Sequence, residues 1–395
     1  MKVVIAIDSY KGSLSSNQAG KATAEGIKAV YKEAQTIVCS LADGGEGTVA
    51  SIISATGGKL CKVTVCGPLG EPLEAEYGVI EERKTAVIEI SSAAGITLID
   101  PEKRNPLLTT TYGVGEIIKH AIKTMGCRKF IIGIGGSATN DGGVGMLQAL
   151  GFSFIDRFGK DIPLGAKGLS YLHEVKCDGA LEELKDCEFN IACDVTNTLC
   201  GAQGCSAVYG PQKGATNEMI QDMDNWLLHY ASLSEKATGR LALHTPGTGA
   251  AGGLGFAFIS YLNGKLESGV DLVISATRLE EKIKGADIVV TGEGRLDGQT
   301  YMGKAPIGVA KLAKKYGKPV IAFSGCITED AKVCNEHGID AFFPILPAVC
   351  TLEEAMNTKA SYRNLKNTVE QAFRLIRCFR EGTKIATIKV KRREK

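Results

Sequence analysis

The sequence predicts an α/β protein in which short apolar strands alternate with amphipathic helices. Apolar runs lie at 3–8, 36–43, 86–93, 130–136, 189–196, 288–294, 319–325 and 341–346. Such continuously apolar strands are typical of a largely parallel sheet covered by helices on both faces. Glycine contributes 48 of the 395 residues, and aromatic residues only 6%. This composition favours closely packed α/β layers over an aromatic-rich β-sandwich.

Three helices are well marked between these runs. The stretch 15–34 begins behind serines that can cap a helix, 113–126 is expected to end at Gly126, and 219–239 is expected to end at Gly239. A chain of 395 residues exceeds the size that one hydrophobic core usually serves. We therefore expect two domains.

Charge and cysteine usage exclude several classes of protein. The 46 basic and 44 acidic residues leave a net charge of +2, so we expect no nucleic-acid partner and no attraction to a membrane surface. The basic tail at 381–395 is interpreted as a solvated terminus, with a phosphate-binding arm as the alternative. Thirteen scattered cysteines without a CxxC pair fit reduced thiols. With a first strand at the start of the chain and no leader pattern, we expect a cytoplasmic protein.

The stretch FIIGIGGSATNDGGVGMLQALG at 130–151 is predicted to run from an apolar strand through a glycine-rich turn into an amphipathic helix. Its glycines leave backbone amides accessible to a ligand. Ligands of open parallel sheets bind beyond the carboxyl ends of the strands, and successive glycine amides there form a nest for anions. A polyphosphate is the predicted ligand, and a purely structural turn is the alternative. The proposed contacts are Gly135, Gly136, Ser137, Thr139, Asn140 and Asp141, with Gly252 and Gly253 from a similar local stretch at 251–255.

The same stretch allows a second interpretation. The letters GIGGSA at 133–138 fit the G-x-G-x-x-(G/A) turn of dinucleotide-binding proteins, and Asp156 follows about twenty residues later. A nicotinamide-dependent oxidoreductase therefore stays open. The match is weak because TNDGG interposes a second turn before the helix. A non-catalytic nucleotide-binding regulator is a third alternative, since a nest can bind an anion without reacting.

Acidic and basic residues follow several other strands. The first strand is followed by Asp8 and Lys11, and the second by Asp43 and Glu46. Carboxylates and ammonium groups at such positions can accept a proton, hold a metal or clamp an anion. Capping and ordinary surface pairing are the alternatives. Two later loops supply Asp194 with Lys213, and Glu293 with Arg295 and Asp297.

Eight blocks of the chain together resemble a known family. They read DSYKGSLSS, ADGGEGT, RNPLLTTTYGVGE, GIGGSATNDGGVGMLQALG, ACDVTNTLCG, YGPQKGA, GTGAAGGLG and VVTGEGRLDGQTYMGKAPIGVA. They are similar, in order, to the signature blocks of the bacterial type-1 glycerate kinases. The resemblance implies ATP- and Mg²⁺-dependent phosphorylation of D-glycerate, with 2-phosphoglycerate as the expected product and 3-phosphoglycerate as the competitor.

The resemblance also implies the domain organisation. A flavodoxin-like parallel-sheet domain is expected from both chain ends, 1–75 with 285–380, and a mixed α/β domain is expected as an insertion at 76–284. The tail 381–395 lies outside the resemblance. The expected partners are the small molecules ATP and D-glycerate, and the expected assembly is a monomer or homodimer.

Site roles combine the resemblance with the chemistry of the side chains. Asp194, Asp297, Arg295 and Lys11 are the predicted catalytic residues, and Asp194 and Asp297 are also the predicted metal ligands. Substrate binding is assigned to Asp8, Asp43, Glu46, Lys213 and Glu293. The glycine-rich contacts named above are assigned to the nucleotide phosphates.

Overall fold

The computed structural model describes residues 1–42 and 47–381. Its strands are β1 Lys2–Ile7, β2 Gln35–Ser40, β3 Lys59–Cys66, β4 Pro72–Ile80, β5 Thr85–Glu89, β6 Lys129–Gly133, β7 Ser153–Ile155, β8 Glu174–Lys176, β9 Glu188–Ala192, β10 Lys265–Glu267, β11 Ile288–Leu296, β12 Val320–Ile327 and β13 Ala341–Pro344. Its α-helices are α1 Ser16–Val30, α2 Thr48–Thr56, α3 Ser91–Ala94, α4 Tyr112–Lys123, α5 Val144–Ala149, α6 Cys205–Tyr209, α7 Asn217–Thr238, α8 Ala250–Leu262, α9 Gly269–Ala276, α10 Leu279–Lys284, α11 Ala305–Lys315, α12 Val333–Glu336, α13 Leu352–Met356 and α14 Thr358–Glu381. The α/β fold class predicted from the sequence is confirmed.

The chain divides into two compact units. Among the described residues, the first unit contains 1–39 and 281–381, and the second lies within 40–280. The sequence places the first boundary near residue 75, whereas the contacts place it after residue 39. The difference arises because β3 and β4 form an antiparallel hairpin that pairs with β5, so this segment belongs to the sheet of the second unit.

The first unit is built on a five-stranded sheet in the order β13-β12-β11-β1-β2. β11 pairs in parallel with β1 on one side and with β12 on the other, and β12 pairs in parallel with β13. Numbered within the unit, this is the flavodoxin-like order 2-1-3-4-5, whose ligand-binding switch point lies between the first and third strands. In this chain, those strands are β1 and β11.

Helix α1 begins where its cap predicts and covers one face of this sheet. Ser15 accepts a hydrogen bond from the backbone of Gln18, and the Gln18 side chain accepts one from the backbone of Ser15, which is a complete capping box. The buried core of the unit comes from alternate residues of the central strands and from α1 and α14. Its largest members include Ile5, Ile7, Ile27, Phe323 and Phe373.

The second unit is built on a six-stranded mixed sheet in the order β10-β9-β6-β5-β4-β3. The four strands from β10 to β5 are parallel, and β4 and β3 are antiparallel. Its core contains a stacked pair, Phe130 and Phe189, with ring centroids 4.7 Å apart. Because β6 and β9 are adjacent and parallel, the loops that follow them leave the sheet at the same edge.

Of the two helix ends that the sequence predicts, one is confirmed and one is wrong. α7 ends at Thr238 and Gly239 caps it with a φ of 72°, as the sequence predicts. α4 ends at Lys123 with Thr124 as its C-cap, so Gly126 is not the cap that the sequence predicts. Gly126 has a φ of 64° and instead turns the chain toward β6. No helix in the described part of the chain is long and apolar enough to cross a membrane.

Candidate active site

A cavity of about 440 Å³ opens in the second unit, at the carboxyl ends of β6 and β9. This volume lies within the range of small-molecule sites. Gly135, Gly136 and Ser137 form one wall, directly after β6, and Asp194 stands on the wall that follows β9. Lys213 and Ala251 also line the cavity. The structure thus brings together one predicted acid, one predicted lysine and part of the predicted anion nest.

The glycine turn presents backbone amides to this cavity. Gly135 and Gly136 are exposed, and Gly136 has a φ of 71°. Within the described residues, no backbone carbonyl accepts a hydrogen bond from the amides of Gly136 or Ser137. The carbonyl of Gly136 is used, since it accepts from Ile96 at 2.8 Å. Donors without internal acceptors at a concave turn are the defining feature of an anion nest.

Lys213 is the cation of this cavity. Its side chain is buried, and Nζ donates to Ser137 Oγ at 2.9 Å and to the carbonyl oxygen of Thr139 at 2.6 Å. Burial lowers the pKa of Lys213 to about 8, against the opposing influence of Cys205 and Asp141. Two of its three hydrogens are therefore fixed to the nest, and an anion in the cavity would relieve its poor solvation.

Asp194 is exposed at the cavity, immediately after β9. Its Oδ1 accepts a hydrogen bond at 3.1 Å from the backbone of Gly269, the first residue of α9. This contact orients the carboxylate from a rigid helix start. An exposed, oriented carboxylate beside an anion nest can serve as a proton acceptor or as a ligand of a hard cation.

Other residues of the predicted nest lie beneath the cavity and do not line it. Asp141 is fully buried and accepts hydrogen bonds from the backbone and hydroxyl of Thr111 and from the backbones of Gly143 and Gly145. Burial raises its pKa although these bonds oppose the shift. Asn140 is also fully buried and donates to Ser206 Oγ at 2.9 Å, and Thr139 is fully buried. The side chains of Asn140 and Asp141 thus hold the turn in shape, and Thr139 contributes its backbone carbonyl, which accepts from Lys213.

Gly252 and Gly253 support the same turn from behind. Both are buried with positive φ, and Gly252 accepts a hydrogen bond from the backbone of Gly142 at 2.9 Å. A Cβ on Gly252 would lie 2.0 Å from the carbonyl oxygen of Thr139. The two glycines therefore serve close backbone packing, whereas the neighbouring Ala250 and Ala251 line the cavity.

The first unit carries a separate group of predicted residues at its switch point. Asp8 follows β1 and is buried, and Glu293 lies on the adjacent β11, next to the position paired with Ile7. Lys11 lies on the loop 10–14, which Tyr10 anchors through a hydrogen bond from its hydroxyl to the carbonyl of Phe323 at 2.9 Å. Three of the predicted residues thus meet where the fold class locates its ligands.

Glu293 is an unusual carboxyl group because it is only 9% exposed. Its pKa is raised to about 7, chiefly by burial and also by the negative charges of Asp8 and Asp297, against the hydrogen bond from Thr300 and the charge of Lys304. At neutral pH this carboxyl is divided between its protonated and ionised forms. Such groups concentrate at functional sites.

Asp297 and Arg295 complete this group. Arg295 Nε lies 3.3 Å from Asp297 Oδ2, and the Arg295 side chain is 65% exposed. Lys304 Nζ lies 3.4 Å from Asp297 Oδ1 and 3.8 Å from Glu293 Oε2. Both cations stand beside carboxylates at loose distances, so an incoming phosphate or carboxylate could draw on either.

Two predicted substrate contacts, Asp43 and Glu46, lie outside the described residues. Asp194 belongs to the second unit, and Asp297 belongs to the first. The group of three or more His, Cys, Asp or Glu side chains that a self-contained metal site needs is absent from the described ranges 1–42 and 47–381.

The sequence matches the glycerate kinase family over residues 3–377. The chain belongs to this family. Among its relatives, the glycerate 2-kinase of Escherichia coli (strain K12) is 47% identical over 365 residues, which cover 92% of this chain and 95% of the relative. The glycerate kinase of Bacillus subtilis (strain 168) is 47% identical over 362 residues, 92% of this chain and 94% of the relative.

A solved structure agrees with the family assignment. The crystal structure of a candidate glycerate kinase 2 from Salmonella typhimurium LT2 has a TM-score of 0.89 to this chain and 44% sequence identity. The match covers 96% of this chain and 99% of that one. This member of the glycerate kinase family is therefore a transferase.

The structure does not support the alternative that the chain is a nicotinamide-dependent oxidoreductase. In this glycerate kinase family member, Asp156 accepts hydrogen bonds from the backbones of Phe158 and Lys160 within a turn after β7. Hydrogen bonding to Lys160 is the main reason that its pKa is lowered. The glycine turn at 133–138 also does not open a helix, because α5 begins only at Val144. The acid that should bind a ribose is thus a turn residue.

Sequence reasoning missed several residues of the site. Thr300 and Lys304 lie in the loop after β11, but the sequence analysis assigned no role to them. From the sequence alone, Tyr10 could not be distinguished from an ordinary core residue. Ala251 also lines the cavity with a φ of 53°, a conformation that a residue with a Cβ seldom adopts. Lys304 could have been found from the sequence, because it stands just before the proline that marks a helix start. No feature of the sequence predicts the backbone conformation of Ala251.

Proposed function

We propose that this chain transfers the γ-phosphoryl group of ATP to the 2-hydroxyl of D-glycerate, giving 2-phospho-D-glycerate and ADP. The relative named glycerate 2-kinase supports this choice of hydroxyl, and 3-phosphoglycerate is the competing product. The observation that carries the proposal is the cavity in which the Gly136–Ser137 amides, Lys213 and Asp194 meet. Phosphoryl transfer depends chiefly on positioning and on neutralising charge, which these groups provide.

Phosphate oxygens fit the cavity of the second unit. The unused amides of Gly136 and Ser137 would donate to them, and Lys213 would supply the third hydrogen of its ammonium group. Thr139, Asn140, Asp141, Gly252 and Gly253 support this contact by holding the turn. We assign Gly135 to the same surface because it lines the cavity.

The charged group of the first unit is assigned to the acceptor and to the transferred phosphoryl. Arg295 and Lys11 are the cations proposed to hold anionic oxygens, and Asp8 and Glu293 are proposed to contact hydroxyl groups. Asp194 or Asp297 would accept the proton of the reacting hydroxyl as the new bond to phosphorus forms. Asp43 and Glu46 remain proposed substrate contacts.

Mg²⁺ is the proposed metal. When bound, it would neutralise part of the negative charge of the nucleotide phosphates. Asp194 or Asp297 is the carboxylate proposed to hold it, and the donor chemistry fits because each is a carboxylate in a group that also contains cations. Either residue alone, with phosphate oxygens and water, would satisfy the preference of Mg²⁺ for oxygen ligands.

The test is product identity together with acid-to-amide variants. A ³¹P spectrum of the reaction of ATP with D-glycerate should show the resonance of 2-phosphoglycerate, and ADP release should depend on D-glycerate. Asp194→Asn and Asp297→Asn should each reduce kcat by at least about 100-fold, the usual range for a lost acid–base group. The exposed Asp178 provides the control, since Asp178→Asn should retain normal turnover.

Three results would contradict the proposal. A 3-phosphoglycerate resonance would change the assigned hydroxyl. Near-normal kcat in both Asp194→Asn and Asp297→Asn would remove their roles. ADP release that does not depend on D-glycerate would remove the assigned acceptor.

A further inference from the structure

Thr300 lies among the charged residues of the first unit's candidate site, and its side chain is more deeply buried than theirs. It lies in the turn between β11 and α11 and is 0% exposed. Around it stand Lys304 and the two acids Glu293 and Asp297, and the preceding proposal places both acids in the reaction. A threonine hydroxyl has one hydrogen to donate and two lone pairs, so its contacts can be assigned individually.

The hydroxyl connects the two acids. Thr300 Oγ1 donates to Glu293 Oε1 at 2.7 Å and accepts from the backbone amide of Asp297 at 3.1 Å. Its distance to Asp297 Oδ1 is 3.5 Å, too long to compete for the single hydrogen. One hydroxyl therefore fixes the carboxyl group of Glu293 and the backbone from which the carboxylate of Asp297 projects.

Lys304 shows why this connection matters. Its ammonium group stands 3.8 Å from Glu293 Oε2 and 3.4 Å from Asp297 Oδ1, and neither distance is that of a tight ion pair. Without the hydroxyl, the amide of Asp297 would lose its buried acceptor and Glu293 would be free to turn toward Lys304. Both acids would then move, because a buried polar group seeks a new partner.

We propose that Thr300 is a positioning residue, which holds Glu293 and Asp297 at the separation that the kinase reaction requires. This inference rests on the proposed function, since it takes the roles of those two acids from there. Thr300 does not need to touch either substrate. Its contribution is the orientation of groups that do.

Thr300→Val tests the inference, because valine keeps the shape of threonine and removes the hydroxyl. We expect kcat with ATP and D-glycerate to fall about 10- to 100-fold, as for the loss of a hydrogen bond to a charged group. Both KM values should change less than about threefold. Thr300→Ser keeps the hydroxyl and should retain kcat within about threefold of the unmodified chain.

The same sheet offers a matched control. Thr291 on β11 is also 0% exposed, but its hydroxyl has no hydrogen-bond partner in the structure. Thr291→Val makes the same chemical change without removing a contact, so kcat should stay normal. If Thr300→Val does not yield folded protein by circular dichroism, Thr300→Ala takes its place under the same limits.

Several outcomes would overturn the inference. The first is a kcat for Thr300→Val within about threefold of the unmodified chain. The second is a loss in Thr300→Ser equal to that in Thr300→Val, which would assign the effect to the methyl group. The third is an equal loss in Thr291→Val. Glu293→Gln and Asp297→Asn separate the two proposals, since normal turnover in both variants would refute the roles of the acids themselves.

Discussion

Replacing Lys213 by methionine should make the protein more stable and less active at the same time. Methionine has about the length of lysine and no charge, so it removes the ammonium group and its bonds to Ser137 and Thr139. Burial lowers the pKa of Lys213 from an ordinary 10.5 to about 8. That difference corresponds to about 3 kcal/mol by which the folded state disfavours the charged form.

The pH range of the effect follows from the same values. At pH 7 Lys213 is mostly charged in both states, and the folded chain carries the unfavourable free energy of a buried cation. Between pH 8 and 10.5 the unfolded chain binds more protons than the folded chain, so the stability of the unmodified protein should rise with pH. The variant also loses the two hydrogen bonds of Lys213, which lowers its stability by about 1 kcal/mol each and offsets part of the gain. Lys213→Met should thus gain about 1–2 kcal/mol at pH 7 and lose this advantage near pH 10.

Urea denaturation followed by circular dichroism at pH 7 and pH 10 measures this difference, with Lys119→Met on the exposed face of α4 as the control. The control corrects for the general effect of removing a lysine at each pH. In the kinase assay, kcat/KM should fall at least about tenfold in Lys213→Met only, because a charge-assisted contact with an anion is lost. A Lys213→Met protein that is less stable than the control at pH 7, or fully active, would refute the reasoning.

Two further predictions concern stability. Burial raises the pKa of Glu293 to about 7 from 4.5, so the folded chain binds this proton more tightly and loses stability as pH rises through that interval. Glu293→Gln should therefore be more stable than the unmodified chain at pH 8, by up to about 3 kcal/mol, and equal to it at pH 4 in denaturation experiments; no difference at pH 8 would contradict this. Gly252→Ala should be destabilised by more than about 3 kcal/mol, whereas Gly239→Ala, with similar φ and open space, should lose only about 1 kcal/mol; equal losses would show that only φ matters.

The parallel strands could be predicted from the sequence because each is a continuously apolar run. The runs at 288–294 and 319–325 are β11 and β12 with only small shifts of the ends. The hairpin of β3 and β4 could not be predicted in this way, since exposed and buried residues alternate along it, and its first five residues are largely polar or exposed. Its assignment to the second sheet depends on pairing with β5, which no local pattern reports.

The sequence singled out Asp194, Lys213 and Gly136, and these three residues line one cavity. Asp194 and Gly136 were chosen because each follows a strand, and the loops after adjacent parallel strands leave the sheet at one edge. The burial of Asn140 and Asp141 was not predictable, because it depends on α4, α6 and α7 packing over the turn from distant parts of the chain. Thr300 was missed for a related reason, as its importance lies in two hydrogen bonds that the spacing of residues does not specify.

The position of β1 in the chain affects how the protein folds during its synthesis. β1 leaves the ribosome long before its parallel partner β11, which begins 286 residues after it, at Ile288. The residues between them, within 40–280, have a hydrophobic core of their own and can fold before β1 pairs with β11. A nascent chain halted before β11 would thus expose an unpaired apolar edge, and such a chain is a natural client for chaperones.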